Sequence, residues 1–476
     1  MRIQTAWSLA LMFFAGSLEA KELYVDGAKG NDATSYAANG PNSPWKTIGR
    51  AAWGSADRAT PSAGEAAKAG DVINVAAGRY TTTGRNGRFD VAYNPVNNGA
   101  AGSPIVFRAL GTVELVYSSG SGPVIGAQGR HYITWQGPFT VDEALAPSRP
   151  DTGPAVFSGS THTVLDGVRI IGDPKIVPPD NHAGVYTFES SDGVIRNSRI
   201  SGIKGNHNAA NAAGVITYRT GRLTIENNEF FDSGAAVNIK APDYGGEPEF
   251  LDWFLIRRNI IHHVAVGVHI HNTGPLTEKN PVKVYQNIIH SGVETWGPAP
   301  PSSSVGVMWR AFASDPQIDA RYAWVVNNTI VNVARCMFMN GNPFPNAGHR
   351  AWNNICSNTK EWGAIFGAAS STLTPATFSF EHNVYHSTGG GMMTNEDAYS
   401  LSQWKSNFRQ DAAAPASITS DPKFVNAGGG DFHLRPDSPA RAIGVDMLDL
   451  NGNGNTTDAI PAGAYVTGSE TIGPPK

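Results

Sequence analysis

One column of residues constrains this chain more than any other feature. The segments VIRNSRI (194–200), TIENNEF (224–230), LIRRNII (255–261), KVYQNII (283–289), WVVNNTI (324–330), RAWNNIC (350–356) and SFEHNVY (379–385) align on Ser198, Asn228, Asn259, Asn287, Asn328, Asn354 and Asn383. Successive members stand about thirty residues apart, within the range of solenoid repeats. Each segment sets apolar residues around a polar pair, the alternation of a strand whose two faces see different surroundings. A unit this short cannot bury its apolar face alone, but stacked units share one continuous core. Asn suits such a column because it tolerates left-handed backbone at a tight turn, and because stacked amides bond to one another. A four-stranded propeller blade needs a longer unit and gives the column no reason to exist.

A second strand follows each Asn-bearing one. GVYTF (184–188), GVITY (214–218), AVNIK (236–240), GVHIH (267–271) and GVMWR (306–310) align. Residues two apart share a face, so Val185, Val215, Val237, Val268 and Val307 point inward with Thr187, Thr217, Ile239, Ile270 and Trp309. The outer face then carries Tyr186 and Phe188, Ile216 and Tyr218, Asn238 and Lys240, His269 and His271, and Met308 and Arg310. Parallel strands lie about 4.8 Å apart, which puts Tyr218, Lys240, His271 and Arg310 in one row. Polar residues on an outer face ordinarily serve solvation. Cations stacked at strand spacing repel, however, and a purely structural sheet avoids them. An alternative register sets GVETW (292–296) on this face, with Glu294 and Trp296 in place of Arg310.

Long connections gather beside the same coils. His207 lies in one of them, and Asp243, Glu247, Glu249 and Asp252 in another. Those carboxylates suit a Ca²⁺ site, a hydrolytic acid and base, or a solvated turn. DLNGNGNTTD (449–458) begins like a calcium loop, but Ile460 occupies the position of its closing Glu.

The formal net charge of −4 gives no global basic surface, so nucleic acid is not an expected partner. Arg2, the apolar stretch from Ala6 to Ala15 and the small residue Ala20 read as an export signal over 1–20, too short to span a bilayer. Secretion or delivery to a periplasm follows, with no membrane span. The two cysteines, Cys336 and Cys356, sit in apolar repeat segments and read as buried free thiols.

LYVDGAKGND (23–32), SPWKTIGRA (43–51), GDVINVAAGRY (70–80) and SPIVFRAL (103–110) resemble the opening of secreted right-handed parallel β-helix proteins, and DPKFVNAGGGDFHLRPDSPARAIG (421–444) resembles their close. The resemblance implies an all-β solenoid with an Asn ladder, one domain over 21–466. Its N-terminal cap covers about 21–110 and its closing coils about 415–466, with a tail at 467–476. It is specific for architecture, since lyases, hydrolases, epimerases and adhesins share this scaffold.

The row itself points to β-elimination on an acidic, uronate-containing polysaccharide such as alginate, by a monomeric enzyme. Lys240 is the candidate base, His271 or His269 shares that role or neutralises the carboxylate, Arg310 grips the carboxylate and Tyr218 protonates the leaving oxygen. Asn238, Phe188, Tyr186, His207 and Trp296 are candidate substrate contacts. Lyases of the alginate and chondroitin type on this scaffold pair a Lys base with an Arg, helped by Ca²⁺. Here His271 stands where that resemblance expects Arg, and Asp243, Glu247 and Glu249 are the candidate metal ligands. A glycoside hydrolase, a uronan C5-epimerase and a non-catalytic glycan binder are the rival readings. The Asn-x-Asp and Asp-Asp pattern of galacturonan hydrolases is missing from the outward strands, and the Asp-Pro-His-Asp signature of epimerases from the chain.

Overall fold

The computed structural model describes residues 20–83, 89–119, 122–145, 153–173, 182–204, 211–240, 253–271, 277–294, 303–310, 322–340 and 348–475. The chain coils through three long sheets, of twelve, eleven and eleven strands among the described residues. One turn runs from Leu223–Glu226 to Glu229–Phe231 to Ala235–Lys240, and Phe254–Arg257 then returns to the first sheet. Strands of successive turns pair in parallel, as where Ile225 meets Ile256. The expected inward column Val185, Val215, Val237, Val268 and Val307 is fully buried. Each such valine contributes about 1.5–3 kcal/mol.

The Asn column lies inside, at the corner between the first and second sheets. Asn259 Nδ2 donates to Asn287 Oδ1 at 2.9 Å, Asn287 to Asn328 at 2.9 Å and Asn328 to Asn354 at 3.0 Å. Each amide also serves backbone that the corner removes from the sheet ladders. Asn287 Nδ2 donates to the Ile256 carbonyl at 2.9 Å, while its Oδ1 accepts the Asn259 backbone N–H at 3.0 Å. The ladder ends on the buried Asp411, whose carboxylate accepts from Asn383 Nδ2 at 3.0 Å. Of the two reasons for an Asn column, only the stacking one applies to the ladder residues. The left-handed turn belongs to the residue before each: Asn197, Asn227, Arg258, Gln286, Asn327, Asn353 and His382 all have φ between 53° and 59°.

At the N-terminal end the helix Ile48–Trp53 buries Ile48, Ala51 and Ala52, capped by the Thr47 side chain and ended by Gly54 at φ 72°. The stretch 415–466, read from sequence as closing coils, adds no strand to the three long sheets. It folds back along the outside of that same corner instead. Asn353 and Val445 exchange two hydrogen bonds, Asn327 Nδ2 donates to the Pro461 carbonyl, and in the tail that follows, Gly473 N–H reaches the Arg258 carbonyl. Phe432 and Ala464 pack on Ile288 and Val331.

Cys336 and Cys356 are disulfide-bonded, with Cα atoms 5.8 Å apart, which corrects the expectation of free thiols. Position 336 precedes the inward apolar column, where other turns carry Gly184, Gly214, Ala236, Gly267 and Gly306. These small residues face large ones of the second sheet: a Cβ on Gly306 would come within 2.6 Å of Ile330. Cys356 pairs in register with Ile330, so in this turn a cysteine occupies each side of that contact. The bridge spans 20 residues of sequence, and its loss should cost about 2–4 kcal/mol. A Cys336→Ala, Cys356→Ala variant should therefore melt several degrees lower; an unchanged midpoint would show the bridge to be energetically idle.

Candidate active site on the third sheet

The third sheet delivers the expected row. Phe188 pairs with Tyr218, and Ile216 and Thr217 pair with Asn238 and Ile239, which brings Tyr218 beside Lys240. Lys240 pairs with His271, and His271 with Arg310. The strand Val305–Arg310 thereby resolves the two registers in favour of Arg310, and Glu294 lies outside the strands, exposed. For His271 the structure describes the backbone and its place in the row. His207, Asp243, Glu247, Glu249, Asp252 and Trp296 fall outside the described residues.

Lys240 is the chemical centre of this arrangement. Its Nζ lies 2.8 Å from Asn211 Oδ1 and 2.9 Å from Tyr218 Oη, and only 8% of the residue is exposed. Burial, and secondarily the charge of Arg310, lower its pKa to about 8. The neutral amine is thus populated near neutrality. A neutral amine carries two N–H donors and one lone pair.

Aromatic rings flank the amine on one side. Tyr186 and Tyr218 stack with centroids 5.6 Å apart, and Phe89 stacks on Phe188 at 4.8 Å. Phe89 and Asn211 were not foreseen from sequence. Phe89 comes from the non-repeating N-terminal region, and nothing in its local pattern marks it. Asn211 precedes its strand, beyond the aligned repeat.

Facing out of the solenoid is not the same as facing water. Asn238 is fully buried, His269 is 2% exposed and Tyr186 4%, so the expectation that this inner row meets solvent is corrected. Phe188, Tyr218 and Arg310 are only partly buried and form the accessible edge. No carboxylate stands in the Tyr218–Arg310 row or in the adjoining Ile216–Met308 row. Among the described residues, no group of three His, Cys, Asp or Glu side chains is arranged to hold a metal. In the calcium-like loop, Asp449 Oδ1 accepts the Gly454 backbone N–H at 2.9 Å, and the Asp458 carboxylate accepts from the side-chain amides of Asn453 and Asn455.

The model of the right-handed beta helix region matches residues 151–309, which carry this row as far as His271 and end one residue before Arg310. The fold is a right-handed parallel β-helix. No curated protein matches the chain. Among solved structures it is similar to XylC in complex with xylose (10% identity, 79% of this chain and 86% of that one, TM-score 0.45). It is also similar to the pectate lyase Pel9A (14%, 94% and 97%, TM-score 0.43). A third is a PL6-family polysaccharide lyase from Pseudopedobacter saltans (12%, 78% and 93%, TM-score 0.35). No helix among the described residues is long and apolar enough to cross a membrane.

Proposed function

We propose that this protein is an exported, carbohydrate-active enzyme that cleaves a uronate-containing polysaccharide such as alginate by β-elimination. The supporting observation is Lys240: a buried amine with its pKa lowered to about 8, bonded to a tyrosine and in the same row as an arginine. In this reading Arg310 grips the uronate carboxylate and withdraws its charge, which acidifies the α-proton. The lone pair of Lys240 takes that proton. The freed electron pair forms the carbon–carbon double bond as the glycosidic oxygen departs, and Tyr218 gives the oxygen its proton. The contact between Lys240 and Tyr218 then returns a proton to the phenolate and resets both groups. Asn238 and His269, enclosed beneath the row, position it rather than touch substrate, and His271 shares the neutralisation of the carboxylate.

Two measurements test this reading. Incubation with a panel of uronate polymers should generate the ultraviolet absorbance of an unsaturated uronate, and silence on every member would refute the reaction class. Parallel assays with chelator and with added Ca²⁺ show whether an ion held by Asp243, Glu247 and Glu249 takes part.

The pH profile gives the second. A base must be deprotonated, so kcat/KM should rise with pH through an apparent pKa of about 8. Arg310→Gln removes a positive neighbour that disfavours the ammonium form, and should move that limb to higher pH. A limb that stays put would remove Arg310 from the electrostatics of Lys240.

A further inference from the structure

We infer that Phe338, on the strand that follows Arg310, is a substrate platform, so that the site binds several consecutive sugar rings. This inference rests on the proposed β-elimination. In the inner row, Asn238 pairs with His269, His269 with Met308 and Met308 with Phe338. Asn238, His269 and Met308 are buried, whereas Phe338 is partly open. Apolar rings therefore reach the surface on both sides of the cationic pair: Phe188 and Tyr218 before Lys240, and Phe338 after Arg310. From the strand of Phe188 to that of Phe338 are five strand steps, about 24 Å at the parallel spacing. That is longer than a disaccharide and matches an extended glycan lying along the solenoid axis.

The ring is also buttressed as a platform would be. The Arg335 guanidinium lies 5.2 Å from the Phe338 centroid, and Arg335 Nε is held by Glu361 at 2.6 Å, which also accepts from the Ser303 hydroxyl. An arginine stacked on one face stiffens the ring. The other face suits the C–H surface of a sugar ring.

Phe338→Ala tests the inference against substrate length. On a long uronate polymer, KM should rise about five- to tenfold with kcat held near wild type. On the shortest oligosaccharide that is cleaved, the kinetics should match wild type. Phe338→Tyr, which keeps the ring, should restore the polymer KM and exclude a folding defect. If the wild type eliminates but Phe338→Ala is unchanged on polymer, or impaired equally at every length, the platform is wrong and the reaction stands. If the wild type eliminates on no uronate polymer, the proposed function fails and the platform fails with it.

Discussion

Lys240→Ala should lose β-elimination, with kcat/KM falling about 10²–10⁴-fold, the usual contribution of a positioned general base. The loss should appear mainly in kcat, because Arg310 and the aromatic edge still hold the substrate. A second consequence separates this account from a structural role for the lysine. Its pKa lies near 8 instead of 10.5 because burial and Arg310 disfavour the charged form. The folded state therefore binds the proton more weakly than the unfolded chain does. That penalty is present in full below pH 8 and relaxes as pH rises from about 8 towards 10.5. Lys240→Met keeps the apolar stem and removes the amine, so it should be inactive yet melt no lower than wild type at neutral pH. A large drop in its thermal midpoint would make Lys240 a structural anchor.

Asn287→Ala should be the most damaging substitution in the scaffold, at roughly 3–5 kcal/mol, since several buried groups lose their partners at once. It removes the acceptor of both the Asn259 backbone N–H and the Asn259 amide, and the side-chain donor to Asn328 and to the Ile256 carbonyl. All of these amides are fully buried, so water cannot replace the lost bonds without opening the corner. Asn227→Gly provides the contrast, since glycine tolerates the left-handed backbone of that position (φ 55°). That side chain lies in the turn just outside the ladder and makes one exposed contact, to the Thr471 carbonyl at 3.2 Å. Chemical denaturation of the two variants measures the difference. Similar losses would mean that the amide column does not carry the corner.

Much of the fold was legible because solenoid geometry is periodic. The Asn column sets the register of the first sheet, and strand alternation carries that register to the third. Tyr218, Lys240, His271 and Arg310 consequently share a row in the structure as in the sequence. What periodicity cannot encode is contact between parts that do not repeat. The backfolded C-terminal segment, the Phe89 stack and the Asn211 partner of Lys240 all come from outside the repeat. The disulfide was missed because the interior meeting of Cys336 and Cys356 depends on which columns face across the core, not on sequence spacing. Burial of Asn238 and His269 was missed for a related reason: alternation gives the direction of a side chain, not what covers it.

The most direct test of the central claim is a count of chain ends. Each β-elimination creates one unsaturated uronate and one new reducing end, so ultraviolet absorbance and reducing-sugar titration on the same digest should rise in a ratio of one to one. Both signals should vanish in Lys240→Ala. Reducing ends that accumulate without unsaturated uronate would contradict the account and assign the site to hydrolysis, and incorporation of solvent deuterium without new ends would assign it to epimerisation.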